Sequence, residues 1–328
     1  MKKIVFLLLL TSVLCRAQGR LEMPVLGEPL PRTRFEVVSK ISAEKLARIP
    51  KELPSYTWSR KPRNFQLRAL QMLLDQSAFA GTNLSKLLGS STNLNDGFKL
   101  VSPDNQDYFL ANPAAGRITV QSVNRNHEYP PPDAVPDFKA TWERALQLAE
   151  MLGVTTNEME RKPDGSIHIR KTENTSSHLG GSIKYKSRRS VTVFRSINDF
   201  LVRSLDEDKI ELEFGVNGQL LKFNFKWPNI EIANKKRTLA LAEIIERIKM
   251  GDVLADPQNE YPPGGIAQVE LTDFQIFYYV ATMLPYSQAQ MASQNPEIRP
   301  MIEFLANFKS KNGETTEGGL FAPLIESQ

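Results

Sequence analysis

The chain has 328 residues, 41 Lys plus Arg against 37 Asp plus Glu, and 41% apolar residues. That length and apolar content suit one large or two modest domains with ordinary hydrophobic cores, and a single cysteine excludes an internal disulfide framework or a thiolate-built zinc site. A net charge of only +4 argues against nucleic acid as a partner; the one dense basic run, Lys184, Lys186, Arg188 and Arg189, reads as a solvated strand edge or loop.

Residues 1–17 carry the pattern of a signal peptide. Lys2 and Lys3 precede an unbroken apolar run from Ile4 to Leu10, and Cys15 and Ala17 offer small side chains at the positions a signal peptidase reads. The run is too short for a membrane-spanning helix, so no transmembrane segment is expected after cleavage and the protein is expected to be exported, periplasmic or extracellular. Removing Lys2, Lys3 and Arg16 takes three charges from the +4 total and leaves +1. A lipoprotein anchored at Cys15 is the lesser alternative, because Leu14 stands where such signals want Gly, Ala or Ser.

Residues 18–63 hold Pro24, Pro29, Pro31, Pro50, Pro54 and Pro62, which predict an extended surface segment with one short helix near Ala43 to Arg48. A helix follows Asn64, with Phe65, Ala69, Leu70, Leu73 and Leu74 on one side and Gly81 beyond its end. Strands are expected at Phe98 to Val101, Tyr108 to Leu110 and Arg117 to Val123, completing a first α+β unit over 64–130. The cluster Pro130, Pro131, Pro132 and Pro136 then marks an internal boundary.

A second unit spans 137–254. Asp137 is the N-cap of a helix whose stripe is Phe138, Trp142, Ala145, Leu146, Ala149 and Leu152, with Gly153 as its stop. Pro163, Asp164 and Gly165 predict a turn, Gly180 and Gly181 a reversal, and Val191, Val193, Arg195 and Ile197 a strand. Asn217 and Gly218 predict a type I′ hairpin that sets Phe214 against Leu221, Leu212 against Phe223, Ile210 against Phe225 and Glu213 against Lys222. Another helix is expected from Thr238 to Met250, with Gly251 at its end. Residues 255–328 read as C-terminal strands and a polar tail: Val269 to Ala281 favours a buried strand, with a helix capped by Thr272 as the alternative, Met301 to Phe308 is its partner, and Lys309 to Gly319 is loop. The expected fold class is therefore α+β, amphipathic helices packed on antiparallel sheets.

The run Phe194 to Val202, followed by Ile210 to Phe214, Asn217, Gly218 and a strand ending in Trp227, resembles secreted PepSY-like domains. The resemblance covers about residues 137–254; the earlier helix and strands are a candidate diverged copy, which would make two PepSY-like units. It implies a helix packed on a small antiparallel sheet and a protein that inhibits, chaperones or binds, acting on a separate protein or peptide partner in the cell envelope.

The residues themselves carry little chemistry. His127, His168 and His178 have no metal-ligand spacing, and no nucleotide or cofactor motif appears, so neither cofactor nor metal is expected. Ser42 to Lys45 spell SxxK without its usual companions, and a helix N-cap accounts for Ser42. Arg195 alternates in phase with Val191 and Val193 and so points inward, where it needs carboxylate or carbonyl partners. Trp142 and Trp227 suit either a core or a ligand groove. The expected contact residues are Arg195, Asn198, Asp199, Phe200 and Trp227, with no catalytic residue; the competing reading is an exported hydrolase whose carboxylates converge only in the fold. Mass analysis of the N-terminus of secreted material should find Gln18 first, and a diacylglyceryl group on Cys15 would overturn cleavage there.

Overall fold

The structure is a computed structural model that describes residues 28–30, 34–59, 61–88, 97–123, 135–178, 183–203, 208–280 and 297–326. Residues 1–17, expected to form a signal peptide, and His127, Pro130 to Pro132, Gly180 and Gly181 lie outside the described residues. In chain order come β1 (Glu28–Pro29), β2 (Glu36–Ser39), α1 (Ala43–Leu46), β3 (Glu52–Trp58), α2 (Leu67–Asp75) and α3 (Leu84–Leu88). Next are β4 (Phe98–Val101), β5 (Tyr108–Asn112), β6 (Arg117–Gln121), α4 (Phe138–Met151), β7 (Arg170–His178) and β8 (Ile183–Phe194). After the short β9 (Ser196–Ile197) and β10 (Phe200–Arg203) follow β11 (Lys209–Phe214), β12 (Leu220–Lys226), β13 (Ile230–Arg237) and α5 (Leu241–Lys249). The chain closes with β14 (Leu254–Ala255), β15 (Gln268–Val280), β16 (Glu297–Lys309) and β17 (Thr315–Pro323).

The α+β expectation is wrong: strands make up 46% of the described residues and helices 19%. Two causes account for it. The proline-rich segment is not merely extended over the surface, because its strands β2 and β3 pair with β15, β16 and β13. The expected loop at Lys309 to Gly319 is a tight reversal feeding β17, which pairs with β16 along its whole length.

The first sheet runs β4-β5-β6-β12-β11-β8-β7, every pair antiparallel. One face is covered by α2 and α4. Ala69, Leu70, Leu73 and Leu74 are buried from α2 as their spacing predicts, and Ala145, Leu148 and Ala149 from α4. They meet Phe109, Ile118, Val120, Leu212, Phe223 and Phe225 in one core. Each of the larger of these side chains, leucine, isoleucine, valine or phenylalanine, contributes about 1.5–3 kcal/mol when fully removed from water. Asp137 caps α4 by accepting the Ala140 N–H at 2.7 Å. Trp142 lies at the margin and Leu148 takes the centre, so the helix is rotated slightly from the expected stripe. Because β6 pairs with β12, residues on the two sides of the proline cluster share one sheet.

The second sheet is built on the long hairpin β15–β16, extended through β17, β14 and β1. Val269 to Val280 is strand, and Thr272, the alternative helix cap, instead sits at a bulge and donates to the Leu305 carbonyl at 3.1 Å. Two strands lie parallel to β15 on its other edge, β2 beside Gln268 to Leu271 and β10 beside Tyr278 and Tyr279. Helix α5 buries Ile244 and Ile248 in the core of this sheet. It starts three residues later than expected, because Thr238 still bridges to Ile325.

The β11–β12 hairpin keeps Ile210 opposite Phe225, Leu212 opposite Phe223 and Glu213 opposite Lys222, but Phe214 faces Leu220 rather than Leu221. A two-residue turn is replaced by a longer loop through Val216–Gly218, closed by Gly215 N–H to the Gln219 carbonyl at 2.8 Å. Gly215 permits this, since a Cβ there would lie 2.8 Å from Leu221 Cδ1. Lys222 also pairs diagonally, with Glu211 at 2.8 Å rather than with Glu213. The backbone expected at Asn217–Gly218 occurs instead between β9 and β10, where Asn198 and Asp199 have φ of 51° and 64° and Ile197 pairs with Phe200.

Gly116, with φ of 57° between β5 and β6, packs against the backbone after β12: an added Cβ would lie 2.5 Å from Pro228 Cα and 2.8 Å from the Trp227 oxygen. Gly165 has a similar positive φ, 81°, and open space around it. Gly165→Ala should therefore cost only the left-handed strain of about 1–2 kcal/mol. Gly116→Ala should lose that and several kcal/mol more, about 3 or above in total, in urea melts of the two variants.

Candidate functional site

The chain passes between the two sheets at four described places: after β3, after β8, before β11 and after β12. Each crossing places a polar group at one buried point. Arg63 follows β3, Arg195 follows β8, Asp208 precedes β11, and Trp227 and Pro228 follow β12. Glu158, on the short turn of helix after α4, closes the cluster.

The backbone of Trp227 and Pro228 is held from three directions. The Arg63 Nη1 donates to the Trp227 carbonyl at 2.8 Å, Arg195 Nη1 donates to the Pro228 carbonyl at 2.7 Å, and the Trp227 N–H donates to Gly116 O at 2.9 Å. The indole Nε1 of Trp227 donates to Glu158 Oε2 at 2.9 Å, and Arg195 lies 5.5 Å from the indole ring. Arg63 also donates to the carbonyls of Leu152 and Gly153 at 3.0 and 2.6 Å, satisfying the open end of α4 where a cation is favoured.

Arg195 is 3% exposed and Asp208 is fully buried. Their closest approach is 3.4 Å, Glu158 lies 3.6 Å from Arg195 Nη2, and Lys226 Nζ lies 3.4 Å from the other Asp208 oxygen. The inward orientation expected for Arg195 is correct, and its partners are both carboxylate and carbonyl. Burial lowers the Arg63 guanidinium to about 10, with Glu158 opposing that fall and Arg195 adding to it. Even so lowered, Arg63 remains a cation at neutral pH, and the cluster gathers the basic side chains of Arg63, Arg195 and Lys226 around the carboxyl groups of Glu158 and Asp208. At 3.4 Å the Arg195–Asp208 attraction is about 5 kcal/mol at an effective dielectric of 20, of the same order as the desolvation each ion has paid. The pair therefore adds little net stability while complete, and breaking it leaves a buried charge uncovered.

Trp227 is wholly buried and lines this junction rather than a groove. Asn198 and Asp199 are exposed at the β9–β10 turn and Phe200 is half-buried. Asn198 Nδ2 donates to the hydroxyls of Tyr56 and Tyr278 at 3.0 and 3.3 Å, and the Tyr278 hydroxyl donates to Pro54 O at 3.0 Å. Burial raises the Tyr278 phenol far above its ordinary value, so it stays a neutral donor. Arg195 and Trp227 thus belong to one assembly, while Asn198 and Phe200 sit on the second sheet around Tyr278. Ser42 accepts the Lys45 N–H at 3.2 Å as the cap of α1, and the Lys45 ammonium pairs with Asp273 instead of the serine hydroxyl. His168 lies 3.1 Å from Glu160 and is partly exposed.

Arg63, Glu158 and Asp208 escape sequence reasoning. Arg63 lies in a proline-rich stretch, Glu158 in a short polar turn, and Asp208 in the acidic run Asp206 to Asp208, so none stands out by pattern. The one available signal is Arg195 itself, whose phase calls for carboxylate or carbonyl partners. No family model matches this chain, and no curated protein does either.

Replacing Arg195 with methionine should lower the unfolding free energy by about 3–5 kcal/mol, the range for removing one partner of a buried pair. Pairing that change with Asp208→Asn should recover a measurable part of the loss in a urea double-mutant cycle.

Proposed function

We propose that this chain is exported and works by binding a separate protein or peptide partner in the cell envelope, without turnover. The observation that carries this reading is the commitment of the converged charges. Glu158 and Asp208, the carboxylates gathered at the buried junction, are occupied by Arg195, Lys226 and the Trp227 indole. A general acid–base pair needs a carboxyl group free to exchange a proton with substrate, and these two already face fixed cations and an indole donor. The SxxK pair is likewise divided, with Lys45 turned to Asp273. The PepSY-like resemblance of residues 137–254 belongs to the same proposal and supports a partner-directed role.

The rigid junction suits such a role. Two sheets locked at four crossings present their edges and turns in fixed relation, and recognition is commonly carried by segments mounted on a rigid scaffold. Arg195 and Trp227 serve this function as scaffold, and the Asn198–Asp199 turn, with Phe200, is its exposed extension. Purified protein incubated with peptide, ester and glycoside panels should release no product, and Ser42→Ala should change nothing. Reproducible hydrolysis abolished by one carboxylate substitution or by Ser42→Ala would replace this reading with the hydrolase.

A further inference from the structure

Strand β7 reads Arg-Lys-Thr-Glu-Asn-Thr-Ser-Ser-His, with no hydrocarbon side chain in nine residues. Arg170, Lys171, Thr172, Asn174, Thr175 and Ser177 are exposed, and among the described residues β7 pairs only with β8. Ordering a backbone residue costs about 1–2 kcal/mol, and here almost no apolar burial offsets it. What the strand does offer is an outer edge about 30 Å long, a row of backbone donors and acceptors ready for another strand.

The β7–β8 ribbon is also strongly cationic. Its described residues carry Arg170, Lys171, Lys184, Lys186, Arg188 and Arg189 against Glu173 alone. Lys186 and Arg189 are held by Glu173, and Arg188 reaches Glu213 at 3.4 Å. Arg170 instead lies over the Phe194 ring at 4.6 Å, Lys171 lies 5.6 Å from the Phe138 ring, and Lys184 is exposed; none of the three has a carboxylate partner among the described residues.

We infer that the outer edge of β7 takes an extended, acidic peptide segment as an added strand, with Arg170, Lys171 and Lys184 receiving its carboxylates. This deepens the binding reading and rests on it. Backbone pairing along the edge supplies affinity and the uncompensated cations select sign and speed the encounter. A nucleic acid would match the charge but not the ladder, and base stacking needs exposed rings; Phe194 is buried beneath Arg170 and Tyr185 is half-buried.

The test uses the full exported chain and three fluorescent probes at about 0.15 M salt, where surface charge is screened beyond about 8 Å. The probes are an alternating Glu/Thr peptide as long as β7, a peptide of equal charge with proline at alternate positions, and oligothymidylate of matched charge. Anisotropy should show the Glu/Thr peptide binding about tenfold or more tighter than the other two, equivalent to about 1.4 kcal/mol. The triple variant R170E/K171E/K184E should lose about tenfold again with an unchanged melting temperature, and amide exchange should slow in 170–178 when the peptide binds. Equal binding of the proline peptide, or tighter binding of the oligonucleotide, would make the ribbon a simple polyanion surface and overturn the added strand, as would no measurable peptide binding. If an envelope partner is captured equally by the parent and the triple variant, this surface is wrong while the binding reading stands; hydrolysis in the substrate panels would instead remove that reading.

Discussion

Two arginines gripping the carbonyls of consecutive residues hold this fold together. Arg63 takes Trp227 O and Arg195 takes Pro228 O at the point where the chain leaves one sheet for the other. Residues from four crossings meet there, so one local geometry joins the two sheets at this point. The backbone carbonyls after β12 cannot be paired by a ladder, because the chain is turning between sheets. A buried carbonyl without a donor is costly, and a guanidinium, with five N–H groups in a rigid plane, can satisfy several at once. Arg63 does this for three carbonyls from two different elements.

Those cations in turn require anions. Asp208 and Glu158 stand beside Arg195, and Lys226 answers the second oxygen of Asp208. The arrangement is a chain of obligations: the crossing needs donors, the donors are charged, and the charges need partners. Its net contribution to stability is small because each ion has given up water. Its contribution to specificity is large, since a displaced crossing leaves a carbonyl, a cation and a carboxylate unpaired together. Gly116 adds a steric term by allowing the β5–β6 turn to lie directly on Pro228.

The two sheets manage their edges differently. In the second sheet, hydrophobic strands such as β15 and β16 are flanked by other strands on both sides. In the first, β7 ends the sheet as a polar, cationic strand with little packing of its own. Charged side chains on an edge keep identical strands from pairing, and the same charges would admit a strand of opposite sign. Protection against self-association and selection of an acidic partner thus come from one set of residues.

The sequence alone determined the local elements whose stability depends on their own apolar pattern. The stripe of α2, the Asp137 cap of α4 and the three strands before the proline cluster all follow from residues near one another in the chain. So does most of the β11–β12 register, since its two faces differ sharply in polarity. Tertiary structure decided what local pattern does not encode. The polar edge strand β7 carries no apolar alternation, and β3, in the proline-rich segment, reads as an extended surface stretch until β13 and β16 pair with it. The balance of strand over helix therefore emerged only when distant segments met. Of the junction, Arg195 and Trp227 were legible, the first because its alternation with Val191 and Val193 turned it inward, the second because a tryptophan suits a core. Arg63, Glu158 and Asp208 lie in polar segments whose side chains look solvated, and only the crossing of four connections at one point turns them into the partners that a buried guanidinium requires.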